Sequence, residues 1–399
     1  MLNKHVVFTW ELGGGLGHIT SFSLLAKALL DKGYQVSVIS KNVSLVADVL
    51  GHLPIKVYQS PLILQSTDNL KVTYSYAEII FDWGYKSTAT LCPLVDTWKN
   101  LFELLKPDLV IADHSPTALV ACKILKLKNI IMGTGFSTPP QVAPLPSLES
   151  MKVPDQKAFL QHESQVLSSI NGVLTKYNTL SFEHLHQLFN VDDNFLCTFA
   201  ELDHYSTRNG ADYCGPCFDI DVGSSFVWGK SKSTKVFAYI KQNTPGFELL
   251  LAALIQSNNN LVLYIPQANA KVIEICKKSK NAVLLNKPAN MRQVLNEADM
   301  IVSHAGHGVV SAALLHGKRL LLVPSQLEQS ILVYLLAKRR LVTAVNPRNE
   351  KINYAAAIQF TCTNAELGKN IEMFKQKYAG FNSSDQLENM VKSCENIIS

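Results

Sequence analysis

The sequence predicts an α/β protein built from two doubly wound domains, each with a parallel sheet, that face each other across a cleft. Two observations predict this fold class. Short β-branched runs alternate with helical patterns, as they do in βαβ units, and this rhythm stops and restarts near the middle of the chain. Ligands of such domains bind outside the carboxyl ends of the strands. We therefore look for function in the loops that follow strands.

In the first half, the apolar and β-branched runs predict strands at 5–10, 35–40, 109–112 and 129–133. Helices are predicted at 21–31, which carries leucines and alanines on one face, and at about 117–125. Two stretches lack a clear period: 60–87 is rich in aromatic residues and 136–154 is rich in proline. They either shape a pocket for a partly apolar ligand or pack as surface insertions.

The second half repeats the pattern. Strands are predicted at 235–240, 261–265, 282–285, 300–303 and 319–323, with helices between them, one of them at 246–256, and the chain is helical from about residue 353 to the end. The segment rich in Gly, Ser and Lys at 219–233 has no period and predicts a linker. The expected boundaries are a first domain at 1–218, this linker, a second domain at 234–380 and a terminal helix at 381–399.

Composition excludes several classes of protein. Hydrophobic residues make up 47% of the 399 residues and charged ones 17%, which favours buried cores over disorder. A net charge of +5 is too dilute for a dedicated nucleic-acid binder, although it allows a mildly basic patch near anionic lipid. No apolar run approaches the roughly 18 residues of a membrane span. We expect a cytoplasmic protein, with peripheral membrane contact as a further option and an oligomeric state that the sequence does not fix.

The eight cysteines show no extracellular disulfide framework. One pair, Cys214 and Cys217, stands in a CxxC arrangement. A redox dithiol would need a helix after the pair, and the residues that follow do not have a helical pattern. We favour a turn with two ordinary thiols.

The first candidate site residue follows the first predicted strand. The sequence GGGLGH at 13–18 runs straight into a helix, and its glycines allow a tight turn and the approach of an anion to the helix N-terminus. The spacing differs from a dinucleotide fingerprint, and no ribose-binding acid stands near position 40. His18 lies at the mouth of this turn, where it can act as a base. The alternative is a structural histidine.

A carboxylate supports that role for His18. Asp113 ends the predicted strand PDLVIAD at 107–113, and the carboxyl ends of parallel strands share one edge of the sheet. At that edge, Asp113 can fix the tautomer of His18 and stabilise its charged form. Asp113 can instead cap the next helix, and its neighbour His114 competes for the same role.

The second candidate site is SHAGHGVVS at 303–311, directly after a predicted strand. Its glycines open a helix and predict a phosphate cradle of backbone N–H groups, to which His304 and His307 can add donors. A zinc site is disfavoured because no acidic third ligand is near. Further on, Glu328 and Gln329 can bind vicinal hydroxyls, or Glu328 can simply favour a helix N-terminus.

Together these segments resemble a known family, the nucleotide-sugar glycosyltransferases of the GT-B fold. This superfamily includes the UDP-glycosyltransferases, the macrolide glycosyltransferases and the lipid-linked GlcNAc transferase of peptidoglycan synthesis. The resemblance spans nearly the whole chain. It is carried by GHI at 17–19, LLAKAL at 24–29, KG at 32–33, PDLVIAD at 107–113, NEADMIVSHAGHG at 296–308, Gly317 and PSQLEQ at 324–329.

The resemblance implies an inverting, metal-independent transfer of a sugar from UDP or dTDP to a hydroxyl of a small-molecule or lipid acceptor, without a cofactor and without nucleic acid. In the family pattern His18 is the base, Asp113 supports it, and the first domain binds the acceptor. The terminal helix crosses back onto that domain. The residues that the resemblance assigns to the nucleotide-sugar donor are Gly15, Gly17, His304, Gly306, His307, Gly308, Val309, Glu328 and Gln329.

The sequence also departs from the family pattern. The glutamate that usually binds both ribose hydroxyls is replaced by Ala312, Arg319 stands where a proline is usual, and the usual Gly-Ser loop is KQNT at 241–244. Two alternatives to transfer follow: an inactive scaffold of the same fold that binds nucleotide, or a nucleotide-sugar epimerase. The missing glutamate also predicts that dTDP binds at least as well as UDP.

Overall fold

Two six-stranded sheets, both fully parallel, form the framework of the protein. In the first sheet the strand order is β3-β2-β1-β4-β5-β6, and in the second it is β12-β11-β10-β7-β8-β9. Both are the same doubly wound order, which reverses between the first and fourth strands of each sheet. The strands are β1 His5–Trp10, β2 Gln35–Ser40, β3 Lys56–Gln59, β4 Leu109–Asp113, β5 Asn129–Gly133, β6 Asp193–Leu196, β7 Lys235–Tyr239, β8 Asn260–Tyr264, β9 Ala282–Leu285, β10 Met300–Ser303, β11 Arg319–Leu322 and β12 Thr343–Ala344.

The computed structural model describes residues 4–62, 73–148, 155–205, 208–221, 223–349 and 351–399. Parts of the two stretches without clear period, 63–72 and 149–154, lie outside the described residues. The helices are α1 Gly17–Asp31, α2 Val43–Leu50, α3 Tyr76–Ile80, α4 Thr88–Leu105, α5 Pro116–Leu125, α6 Gln156–Lys176, α7 Phe247–Gln256, α8 Ala270–Lys278, α9 Met291–Glu297, α10 His307–Leu315, α11 Leu327–Lys338, α12 Tyr354–Thr363, α13 Ala365–Lys377 and α14 Ser383–Ile398.

The predicted α/β fold class is confirmed. The central strands are the predicted ones, because a strand with helices on both faces is buried throughout and is recognisable as a continuous apolar run. Every residue of β1 and β4 is buried. The aromatic stretch at 60–87 is not a surface insertion in its described part, since Tyr76 and Tyr85 are fully buried in the core beside β4.

The chain forms two compact units, one of residues 1–217 and 382–399 and the other of 218–381. The segment predicted as a linker packs along the second unit: Ser224 exchanges backbone hydrogen bonds with Pro288 and Asn290, and the Trp228 indole donates to Glu297. The last helix, α14, returns to the first unit. There Met390 and Cys394 are buried in the same core as Leu25.

A buried carboxyl group joins β1 to α5. Glu11 directly follows β1, is almost fully buried, and accepts a hydrogen bond of 2.9 Å from the backbone N–H of Thr117 in the first turn of α5. Burial raises the pKa of this carboxyl from 4.5 to about 7, and the hydrogen bonds from Thr117 and Ala118 oppose that rise only in part. The free energy of unfolding must therefore depend on the proton at Glu11.

Truncating a buried side chain of α14 should destabilise the first unit. Met390→Ala deletes a side chain that is 3% exposed, and we expect it to lower the free energy of unfolding by about 2–5 kcal/mol. The matched control is Met373→Ala, since Met373 is 58% exposed and the change should stay within about 0.5 kcal/mol. Urea unfolding followed by tryptophan fluorescence measures this, because three of the four tryptophans lie in the first unit. Equal effects of the two variants would contradict the packing described.

Glu11 should make the first unit less stable as the pH rises. Between the unfolded pKa of 4.5 and the folded value of about 7, the folded state holds a proton that the unfolded state has lost. The free energy of unfolding of the wild type, minus that of Glu11→Gln, should therefore fall by about 3 kcal/mol as the pH rises across this window. Above the window this difference should stay constant. Urea titrations at pH 5 to 8 test this, and a difference that rises with pH would be the wrong sign.

Candidate functional site

The first candidate site lies where the strand order of the first sheet reverses. β1 and β4 are neighbours there, and the last residue of β1, Trp10, stands in register with the last residue of β4, Asp113. The chain leaves β1 through the glycine loop and enters α1, which carries His18 in its first turn. Ligands of doubly wound sheets bind at this kind of reversal.

The structure brings His18 and Asp113 together. The Nδ1 atom of His18 lies 2.9 Å from Oδ2 of Asp113, and the side chains are 17% and 6% exposed. The His18 ring also stacks on Trp10, with ring centroids 5.1 Å apart. Since the carboxylate accepts the proton of Nδ1, the other ring nitrogen, Nε2, carries the lone pair. This arrangement can accept a proton at Nε2 and stabilise the resulting charge.

Gly13 makes room for this histidine. Its φ angle is +77°, and a Cβ atom at this position would lie 2.6 Å from Nε2 of His18, which is a collision. Gly15, with φ +100°, and Gly17 are different, because a Cβ on either would meet nothing within 4 Å. The loop at Gly15 and Gly17 is thus open to solvent on the side where a ligand would approach the start of α1.

His114, the competing candidate, is placed differently from His18. It is 5% exposed, adopts a left-handed backbone with φ +45°, and its ring lies 6.1 Å from that of His18. Burial, and after it the charges of His18 and Lys41, hold its pKa well below 6.5. Asp113 is hydrogen-bonded to His18. His18, and not His114, is therefore the histidine of the carboxylate–histidine pair.

The second candidate site occupies the equivalent place in the second sheet. β10 pairs with β7 where the strand order reverses, with Ser303 in register with Tyr239. His304 follows β10, Ala305 has a φ of +64°, and Gly306 caps α10. The first turn of α10 contains no acidic residue. The backbone N–H groups and the helix dipole at this N-terminus therefore favour an anion.

His304 is held neutral in this turn. Burial, and after it the charge of Lys241, lower the pKa of His304 from 6.5 to about 4. Its ring packs edge-to-face on Tyr239, with centroids 4.7 Å apart, and its Nδ1 atom is buried without a hydrogen-bond partner. The site therefore offers a neutral imidazole from His304 and a positive charge from Lys241.

The remaining residues predicted for the donor lie on two helices. His307, Gly308 and Val309 form the first turn of α10, where the hydroxyl of Ser311 donates to the backbone oxygen of His307. Glu328 lies in the first turn of α11. Gln329 is buried, and its Oε1 atom accepts hydrogen bonds from the backbone N–H and the hydroxyl of Ser325.

Position 312 is buried in α10, where Ala312 is 2% exposed.

Within the described ranges, His, Cys, Asp and Glu side chains form no group of three that could hold a metal ion. Of the helices described, none combines the length and apolar character needed to cross a membrane.

The CxxC pair packs against a third cysteine of the first unit. The sulfur atoms of Cys214 and Cys217 lie 3.8 and 3.5 Å from that of buried Cys197, and no disulfide joins them. Gln386 of α14 donates to the sulfur of Cys217 over 3.4 Å. These thiols fill the contact between α14 and the first sheet.

Sequence reasoning missed Trp10, which stacks on His18, and Tyr239, which packs edge-to-face on His304. Each is the last residue of the first strand of its sheet, in register with the end of the fourth strand. That position was a usable signal, because the last residue of a strand stands at the edge of the sheet where the loops that carry the two histidines begin.

Comparisons with known proteins agree with this arrangement. Residues 250–345 match the model of the glycosyltransferase family 28 C-terminal domain. No curated protein sequence matches the chain at a significant level.

Solved structures of glycosyltransferases match over nearly the whole length. The glycosyltransferase of kitacinnamycin is 15% identical, with 98% of each chain covered and a TM-score of 0.69. CalG4, the calicheamicin glycosyltransferase, is 13% identical, with 100% of this chain and 99% of the other covered and a TM-score of 0.69. SsfS6 from Streptomyces sp. SF2575, complexed with thymidine diphosphate, is 14% identical, with 98% and 99% covered and a TM-score of 0.63.

At such identities the likeness between structures shows the fold alone. Both sheets have the doubly wound order that was predicted, and α14 returns to the first unit. The chain therefore has the GT-B fold, and its residues 250–345 match the glycosyltransferase family 28 C-terminal domain, which supports a glycosyltransferase as the class of enzyme.

Proposed function

We propose that the protein is an inverting glycosyltransferase that moves a sugar from a nucleotide diphosphate to a hydroxyl group of a small-molecule or lipid acceptor. The observation that carries this proposal is the 2.9 Å hydrogen bond between His18 and Asp113 at the strand-order reversal. The pair stands at the carboxyl ends of β1 and β4, where doubly wound sheets bind their ligands. The pair instead has the composition of a general base and the group that orients it.

In the proposed reaction, His18 takes the proton of the acceptor hydroxyl at Nε2 while Asp113 stabilises the imidazolium that forms. The hydroxyl oxygen attacks the anomeric carbon, and the nucleotide diphosphate leaves from the opposite side with the bonding electrons. A single displacement of this kind inverts the configuration at the sugar carbon. We propose no covalent intermediate between the protein and the sugar.

The second unit is proposed to hold the donor. The N-terminus of α10, with Gly306, His307, Gly308 and Val309, would receive the diphosphate, and the neutral ring of His304 would add a hydrogen bond. Lys241 brings positive charge to the same place. Helix dipole, backbone N–H groups and a lysine can together stabilise the charge of the leaving diphosphate, so we propose a metal-independent reaction.

Glu328 and Gln329 at the start of α11 are proposed to meet the sugar. Glu328 is partly exposed and can turn a carboxylate toward hydroxyl groups. Gln329 uses its Oε1 atom on Ser325, so its contribution would come from its amide N–H groups. Gly15 and Gly17, at the open loop of the first unit, are proposed to allow the donor to approach the start of α1.

We propose dTDP as the carrier of the sugar. A carboxylate that accepts from both ribose hydroxyls favours UDP over dTDP by the bond to the 2′-hydroxyl, about 1.5–3 kcal/mol for one charge-assisted bond. Ala312 cannot supply this bond, because its side chain is a methyl group. SsfS6, a structural relative, is complexed with thymidine diphosphate, which supports the same carrier here. The cytoplasmic location and the membrane contact stay predictions.

The base assignment predicts a large loss of turnover in His18→Ala. Because general-base catalysis contributes roughly 10²- to 10⁴-fold, kcat should fall by about that factor while donor affinity changes little. Asp113→Asn should lose a comparable or smaller factor. The measurement is nucleotide release from dTDP-glucose and UDP-glucose with a panel of alcohols and phenols, with donor affinity from calorimetry.

The matched control is His52→Ala, which removes an exposed histidine of the same unit and should leave the rate within about twofold. If His18→Ala transfers sugar at the wild-type rate, the base assignment is wrong. If the wild type binds nucleotide and the whole panel yields no transfer above the rate of His18→Ala, the scaffold alternative replaces transfer.

Nucleotide selectivity tests the donor proposal. Calorimetric titration with UDP, dUDP and dTDP separates the effect of the 2′-hydroxyl from that of the thymine methyl group. We expect dTDP to bind at least as tightly as UDP and dUDP to match UDP, because no carboxylate receives the 2′-hydroxyl. UDP binding that is tighter by tenfold, about 1.4 kcal/mol, would refute the dTDP preference.

A further inference from the structure

His114 is the one buried histidine beside the proposed base for which the reaction above has no task. It follows Asp113 in a left-handed backbone conformation with φ +45°, and its backbone oxygen accepts a hydrogen bond from Leu12 over 3.0 Å. A left-handed conformation is uncommon for a residue other than glycine. The backbone therefore holds this ring in a fixed place, between Tyr76 at 5.7 Å and Phe136 at 5.9 Å, measured between ring centroids.

The ring of His114 is uncharged at neutral pH. Burial disfavours the imidazolium, and the positive charge that His18 carries when protonated and that of Lys41 act in the same direction on its pKa. The other titratable groups that face it are the adjacent carboxylate of Asp113, already bonded to His18, and the phenol of Tyr76, whose pKa burial raises well above 10. A neutral imidazole has one N–H group and one lone pair.

The single proton of this ring belongs on Nδ1. The Nε2 atom of His114 is buried and has no hydrogen-bond partner within the described structure. Buried N–H groups without a partner are rare in proteins, and buried acceptors without one are somewhat less rare. The tautomer with a bare Nε2 and a protonated Nδ1 is therefore the favoured one.

The Nδ1 atom of His114 and the Nε2 atom of His18 converge on the same side of Gly13. The position that a Cβ on Gly13 would occupy lies 3.2 Å from the first atom and 2.6 Å from the second. The two ring centroids are 6.1 Å apart, which is too far for a direct N–H···N hydrogen bond. Gly13 is exposed and has no side chain, so it places no side-chain atom between the two nitrogens and solvent.

This geometry presents a donor and an acceptor side by side. The proton of His18 is on Nδ1 and bonded to Asp113, so its Nε2 accepts. The proton of His114 is on its Nδ1, so that atom donates. A hydroxyl group is the simplest ligand that matches such a pair, since its hydrogen is donated to one nitrogen while its oxygen accepts from the other.

We propose that His114 binds the acceptor hydroxyl together with His18, by donating its Nδ1–H to the oxygen atom that attacks the sugar. This rests on the proposed function. In the step, the hydroxyl proton moves to Nε2 of His18, the oxygen forms its bond to the anomeric carbon with one lone pair, and the nucleotide diphosphate leaves with the electrons of the broken bond. His114 keeps its proton throughout and holds a second lone pair of the same oxygen, which fixes the direction of attack.

The tautomer can be tested without turnover. Long-range ¹H–¹⁵N NMR spectra distinguish a protonated from a bare ring nitrogen, and the signals of His114 are those that disappear in His114→Asn. We expect a protonated Nδ1, a bare Nε2 and no titration of this ring between pH 6 and 8. A proton on Nε2, or a ring that titrates in this range, would overturn the proposal.

Two substitutions then separate the hydrogen bond from the space that the ring fills. His114→Asn keeps an N–H donor on the atom next to Cγ, and asparagine tolerates the left-handed backbone. His114→Leu has the same branching as asparagine without polar atoms. We expect kcat/KM for the acceptor to fall about 10- to 100-fold in the leucine variant and about threefold or less in the asparagine variant, with donor affinity unchanged in both.

The outcomes distinguish this proposal from the function on which it rests. If His18→Ala loses activity and both His114 variants match the wild type, His114 has no part in acceptor binding and the base assignment stands. If leucine and asparagine are equally impaired, the ring acts by packing and the proposal fails. Should the leucine variant not fold, His114→Gly removes the donor without backbone strain and must show the same loss. If His18→Ala is fully active, the proposed function fails first.

Discussion

The arrangement of the first unit depends on one register: β1 pairs with β4 in parallel so that Trp10 stands beside Asp113. This pairing makes both strands end at the same edge of the sheet. The glycine loop then carries His18 back over that edge, where its ring stacks on Trp10 and its Nδ1 atom reaches the carboxylate. A shift of one residue would turn Asp113 to the other face of the sheet and leave the histidine without its partner.

The second unit uses the same topology for a different chemistry. There, too, the end of the first strand lies beside the end of the fourth, and the turn after β10 leads into a helix whose N-terminus is free of acidic residues. In the first unit this edge holds a histidine paired with a carboxylate, which suits proton transfer. In the second it holds a neutral His304 beside Lys241 and backbone N–H groups, which suits an anion. The same strand-order reversal thus occurs in both units, and the side chains at the strand ends determine whether it suits proton transfer or an anion.

Burial controls the protonation of the groups around these edges. His114 and His304 are kept neutral by desolvation together with nearby positive charge, and burial raises the pKa of Glu11 to about 7. A neutral imidazole can donate or accept in fixed directions without drawing a counter-ion into the site. His18, by contrast, is partly exposed and bonded to Asp113, so it can take up a proton during a reaction.

The sequence by itself determined the fold class, the buried central strands and the two turns that carry His18 and His304. Continuous apolar runs and strand-ending glycines are local signals, and a strand covered on both faces has to be apolar. The strands that it failed to predict, β3, β6 and β12, all lie at sheet edges. Edge strands are short and half exposed, so their residues carry little pattern; β3 has no buried residue.

Only the tertiary structure decided between Asp113 and the competing candidate His114, which are adjacent in sequence. The choice depends on a register between strands about 100 residues apart and on the left-handed backbone at His114, neither of which has a local signature. The tertiary structure likewise revealed the contacts of Glu11 and Trp10. It also showed that the segment predicted as a linker, 219–233, packs along the second unit. Contacts between residues distant in the chain are fixed by the packing of whole elements, and a local pattern does not record them.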